Sequence, residues 1–136
     1  MRKLFSTKYS NTAISFSLLV LRIGLGTMMM IPHGYNKLMK FPSLSQTFGD
    51  PFHIGSRASL SLDIFAEFFC SALLILGLMT RLACIPLVIA MSTAIIYAHQ
   101  GNIFGDGEKA SLYLIGYIVL LFCGPGKVSM DRLIGK

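Results

Sequence analysis

AISFSLLVLRIGLGTMMMIPHGYNKL, residues 13–38, is the stretch that decides the fold. At about 1.5 Å rise per residue a helix of this length spans the roughly 30 Å hydrocarbon core of a bilayer. Arg2, Lys3 and Lys8 precede it, an arrangement shared with secretory signals. A signal core, however, is about 7–15 residues long and closes on a small-residue cleavage site. This run is longer, carries Arg22 and ends in Pro32-His33-Gly34. It is expected to stay in place as the first membrane helix.

The rest of the chain agrees. Of 136 residues 54% are apolar and only 13% charged, with a mean hydropathy of +0.67. Soluble domains carry about 25% charged residues. Here the deficit falls in long uncharged runs, which implies a chain solvated by lipid. The net charge of +6, from 12 Lys and Arg against 6 Asp and Glu, sits at the ends of those runs. No basic stripe interleaved with aromatics is present to track a phosphate backbone, so nucleic acid is excluded as a partner.

Residues 39–58 form a polar stretch in which Pro42, Gly49, Pro51 and Gly55 oppose a regular helix. Two further spans are expected at 61–80 and 82–98, with Arg81 between them. A fourth is expected at 108–123. Its uncharged part, 110–123, reaches only about 21 Å, so Glu108 and Lys109 are drawn to the membrane edge or into a polar cavity. Gly124-Pro125-Gly126 stops it, since proline lacks an amide donor and glycine readily adopts left-handed geometry. The expected architecture is all-α: one integral membrane four-helix bundle over residues 1–136.

Positive charge sets the orientation. With both termini cytoplasmic, that side holds Arg2, Lys3, Lys8, Arg81, Lys127, Arg132 and Lys136, against Lys37, Lys40, Arg57 and Lys109 outside. Seven against four favours this topology in a bacterial inner membrane.

Ionisable groups inside spans cost about 2.5–3.5 kcal/mol on insertion scales and usually face the bundle interior. Gly26, His33 and Lys37 fall on the same face of the first helix as Arg22. Asp63, Glu67 and Ser71, spaced by four, form a matching stripe on the second. Glu67 has Arg22, His33 and Lys37 as alternative partners. Glu108, Tyr97 and His99 approach from the other two helices, giving a polar chamber open to the outer surface. An Arg22–Glu67 contact would be either a register-fixing ion pair or part of a proton relay or ligand site.

Other residues carry less chemistry. Cys70, Cys84 and Cys123 form no CxxC pair, which disfavours dithiol redox chemistry. No second histidine lies four residues from His33 on its face, so no metal site is expected. Tyr35, Tyr97, Tyr113 and Tyr117 are either a quinone pocket or belt and packing aromatics. Met28, Met29 and Met30 point in different directions around a helix and read as packing.

Leu21-Arg22, Gly26, His33-Gly34 and Lys37, then Glu67 and Leu76-Gly77-Leu78-Met79-Thr80-Arg81, then Glu108 and Gly124-Pro125-Gly126-Lys127-Val128-Ser129-Met130-Asp131 occur in this order. Together they resemble the DoxX family of small four-helix bacterial membrane proteins, over about residues 19–131. Gly26, Gly34, Gly77, Thr80, Arg81, Gly124, Pro125, Gly126 and Asp131 are the structural part of the pattern. Val128 stands where an aromatic is expected, Met130 where leucine is, and His53 where glycine would be less surprising. The resemblance implies an inner-membrane oxidoreductase component that works with quinone and a redox partner protein.

Two functions follow. One is a membrane subunit of a redox complex that binds quinone or a small substrate among Arg22, His33, Lys37, Glu67, Tyr97, His99 and Glu108. The alternative is a non-enzymatic scaffold, chaperone or assembly factor. Gly24-Leu25-Gly26 lies within a membrane helix rather than after a strand, so it is no nucleotide fingerprint. No flavin, haem or iron–sulfur ligand set is evident. Self-association through a lateral face is open.

Overall fold

The computed structural model describes residues 6–135. Arg2, Lys3 and Lys136 of the charge count lie outside them. Ser10 starts the first helix, its hydroxyl accepting the Ala13 amide at 3.0 Å. The helix, α1, then runs without interruption through Asn11–Met39. A short α2 (Phe41–Leu44) opens the loop, and α3 (Ser56–Leu76), α4 (Thr80–Ala98), α5 (Glu108–Cys123) and α6 (Met130–Ile134) follow. The described residues contain no strand. Helices α1, α3 and α4 are long and apolar enough to cross a membrane.

These boundaries correct the expected ones. Helix α3 begins at Ser56 rather than 61 and ends at Leu76 rather than 80. Gly77 takes the left-handed conformation at φ +69° and closes the helix with a paired cap, Gly77 N donating to Leu74 O and Leu78 N to Leu73 O. Met79 is also left-handed, at φ +47°. Helix α4 then starts at Thr80, two residues early, because the Asp131 carboxylate accepts the amides of Met79 and Thr80 at 2.6 and 2.9 Å. A helix N-terminus leaves its first amides unsatisfied, and this remote carboxylate caps it.

Helices α1, α3, α4 and α5 pack against one another. Helix α1 packs on α3, α3 on α4, α4 most extensively on α5, and α5 closes back on α1. Leu74, Cys84, Leu87, Tyr117 and Leu120 are fully buried at the centre. Outward faces are apolar, with Val20, Phe69, Ile96, Ile115 and Phe122 exposed, as a lipid solvent requires.

Two glycines set the α1–α3 distance. A side chain at Gly26 would meet Ile75 Cγ1 at 2.6 Å and Ser71 O at 3.1 Å. At Gly34 it would lie 2.6 to 2.7 Å from the backbone C and O of Glu67 and N of Phe68, which cannot move aside singly. Close backbone approach through small residues is how membrane helices gain packing without a hydrophobic drive.

Gly34→Ala is expected to lower bundle stability by roughly 1–3 kcal/mol, the usual cost of overpacking. Gly24, with nothing within 4 Å of its would-be side chain, is the control. Gly24→Ala should be neutral or slightly stabilising. Thermal unfolding in detergent followed by circular dichroism measures both, and equal effects would contradict the close-approach account.

Candidate functional site: a chamber bounded by three π-helical turns

Helices α1, α3 and α4 each contain a π-helical segment, at Met30–Tyr35, Phe65–Cys70 and Ala94–Ala98. Such turns are rare and collect at functional sites, because one inserted residue turns side chains out of helical register. The first contains His33 and Gly34, the second Glu67, and the third Tyr97. All three border a cavity of about 1180 Å³ at the end of the bundle where the 39–58 loop lies.

Lys37 is the charge centre of this chamber. Its Nζ donates to Asp63 Oδ2 at 2.5 Å and lies 2.7 Å from Glu67 Oε2. The Glu67 oxygen meets the ammonium off the hydrogen-bonding direction, so that contact is charge to charge. Glu67 is only 4% exposed. One ammonium between two carboxylates leaves a net formal charge of −1 in a largely buried cluster. The Phe48 ring, 5.7 Å from Nζ, covers it from the loop.

The aromatic wall is continuous with this cluster. His33 meets Tyr113 edge-on at 6.2 Å, and Tyr113 stacks on Tyr117 at 6.0 Å. Tyr117 is fully buried, and neither its hydroxyl nor the equally buried Ser71 Oγ makes a hydrogen bond within the protein. Tyr35 is exposed and packs beside Phe68 instead.

Asp50 fastens the loop over the chamber. Its carboxylate accepts the amides of Ile54 and Gly55 and the Ser59 hydroxyl, at 2.8 to 2.9 Å. Desolvation opposes the charged form, but these bonds, with His53 nearby, hold the carboxyl below its usual value. The staple accommodates His53 at φ +55° and Gly55 at φ +99°.

Of the residues expected to share a site, His33, Lys37, Glu67, Tyr97, His99 and Glu108 all line this chamber. Arg22 does not, which corrects its expected place and the Arg22–Glu67 pair. It is 2% exposed and donates to Pro125 O at 2.7 Å and Val128 O at 2.9 Å, at the opposite end of the bundle. Gly77 makes room for it, since a side chain there would meet Nη1 at 2.6 Å. Arg81 donates to Phe122 O at 3.3 Å, and Asp131 N donates to Gly77 O. The structural residues of the C-terminal motif therefore form a latch tying the end of α5 to α1 and the α3–α4 turn. Lys109, expected at the membrane edge or in a polar cavity, lines the chamber as well, and sequence reasoning missed Asp50 and Asp106 as lining residues. The carboxylates were visible only as loop or helix-edge charges, with no spacing to mark them. Among the described residues no group of three or more His, Cys, Asp or Glu is placed to hold a metal ion.

A multi-span α-helical membrane protein with an internal polar chamber is the class this geometry defines. The DoxX family model matches residues 17–100. An uncharacterized protein of Haemophilus influenzae is 35% identical over 115 residues, covering 79% of this chain and 84% of the relative. A second uncharacterized protein of that organism is 33% identical over 101 residues, 71% of this chain and 67% of its own. An uncharacterized membrane protein of Mycobacterium tuberculosis is 36% identical over 89 residues, 55% of either chain. No solved structure matches. The chain belongs to the DoxX family.

The latch should be measurable apart from the chamber. Arg22→Met leaves the Pro125 and Val128 carbonyls without their donors and is expected to cost on the order of 2–5 kcal/mol. Asp131 adds a pH signature. Burial would raise its carboxyl, but the Thr80 and Met79 amides, with Arg22 behind them, hold it below the ordinary value. A lowered folded-state pKa gives stability that is complete above the ordinary carboxylate range and lost as pH falls through the lowered value. Asp131→Asn should remove that part of the acid dependence of unfolding, and an unchanged pH profile would contradict the capping role.

Proposed function

We propose that this DoxX protein is a bacterial inner-membrane subunit of a redox complex that binds quinone, or a small molecule of similar build, in the chamber. The observation that carries the reading is the Lys37–Asp63–Glu67 cluster facing a cavity large enough for a ring-sized ligand. Ionisable groups at membrane depth concentrate at such sites, and pockets with a few convergent polar groups in apolar walls are the usual form of small-molecule sites. Lys37 would donate to a ring carbonyl, and Glu67 would accept from the hydroxyl of the reduced ring. His33 and Tyr113 would flank it. Electrons would come from a partner protein.

The reading includes a fourth span. Helix α5 has 16 residues, about 24 Å of rise, and presents Leu112, Ile115, Val119 and Phe122 outward. Crossing here requires the ends of the helix to lie in the interface, where Glu108 meets the chamber mouth. It also places the latch end in the cytoplasm. The count of flanking Lys and Arg, seven against four, favours that orientation.

The chain has five tyrosines and no tryptophan, and Tyr97 and Tyr113 line the chamber, so part of the tyrosine emission reports on it. Titration with a short-tailed, water-soluble benzohydroquinone, whose hydroxyl can donate to Glu67, is expected to quench that part saturably. Glu67→Gln should weaken the apparent affinity by about tenfold or more, one lost charge-assisted hydrogen bond. Quenching that never saturates would overturn the binding reading. A protein partner that co-purifies with both forms would then favour the scaffold.

A further inference from the structure

The chamber has a second border besides its mouth. The outer half of α3, residues 56–64, packs on α1 and on its own π-helical turn, whereas the outer end of α4, residues 94–98, packs on α5. The two helices hold together where residues 65–70 and 71–76 pack on α4. They part only beyond residue 65, toward the chamber mouth. The residues that line the cavity along this divergence are Leu62 and Phe65 from α3 and Pro86, Ile89, Thr93 and Tyr97 from α4. Leu62, Phe65, Ile89 and Tyr97 are among the exposed large apolar residues. The same side chains thus border the cavity and keep much of their surface uncovered by protein.

We propose that the gap between α3 and α4 is a lateral portal through which the chamber takes a single-tailed amphiphile directly from the bilayer. The polar head would sit at Lys37, Asp63 and Glu67, with the tail leaving between Leu62 and Ile89. The apolar portal matches a hydrocarbon or isoprenoid tail, because any polar chain there would face lipid without hydrogen-bond partners. Charge fixes the head. Asp50, Asp63, Glu67, Asp106 and Glu108 line the chamber against Lys37 and Lys109, so formal negative charge is in excess, five to two. An anionic headgroup is repelled, and an uncharged hydrogen-bonding ring is accepted. This inference rests on the binding reading above and adds the route and the tail.

Tail length separates the two. In nanodiscs the protein is expected to bind a long-isoprenoid benzoquinone at least about tenfold more tightly than a short-tailed one at equal total concentration, since the tail concentrates the ligand in the bilayer on which the portal opens. Thr93→Trp, which puts an indole into the portal, should remove this preference, lowering long-tailed binding by about tenfold more than short-tailed binding. Ile96→Trp, exposed on α4 and away from the cavity lining, should change neither. If Thr93→Trp fails to fold, Ile89→Trp makes the same test. Equal binding of both tails by the unmodified protein, or equal losses of both in the portal variant, would overturn the portal alone. Binding of neither would overturn the binding reading with it.

Discussion

Lys37, held between Asp63 and Glu67, is the constraint on which the chamber end depends. An ammonium within a membrane span needs opposite charge at contact distance, and two carboxylates supply it from α3. That contact requires α1 and α3 to approach until backbone meets backbone, which Gly34 alone permits at its level. The π-helical turns at Met30–Tyr35 and Phe65–Cys70 lie where this approach occurs. They aim His33, Lys37 and Glu67 inward together. Because two carboxylates face one ammonium, one carboxyl of the cluster is left without a cation of its own next to a cavity, and the proposed site rests on that asymmetry.

The opposite end solves a different problem. There Arg22, Gly77, Thr80, Arg81 and the 124–131 segment satisfy backbone groups left free by two chain reversals. Nearly every bond runs from a charged side chain to main chain, so the end is closed by geometry more than by ion pairing. Division of labour follows: a closed latch holds the helices in register at one end, and the other end of α3 and α4 borders the chamber proposed to take a ligand.

Much of this was legible in the sequence because hydropathy and four-residue spacing report directly on helix faces. The span at 13–38, the Asp63/Glu67/Ser71 stripe and the placement of Tyr97, His99 and Glu108 at one end rest on those signals. Arg22 was misplaced for a definite reason. It shares a helical face with Lys37, but the two are 15 residues, about 22 Å, apart along the axis. A shared face is not a shared site. Its acceptors are carbonyls 103 and 106 residues away, and main-chain groups carry no residue identity for a sequence to show. The π-helical turns were invisible for a related reason: one residue of extra winding leaves the composition unchanged.

The central claim is that the chamber is a binding site for a small membrane-dissolved molecule. Native mass spectrometry of the protein extracted from its membrane, beside the Glu67→Gln form, tests it most directly. The account predicts a bound non-protein mass in the quinone range on the unmodified chain and its loss in the variant, with both forms still folded. A chain that carries no small molecule, or carries the same one undiminished after Glu67→Gln, would contradict it.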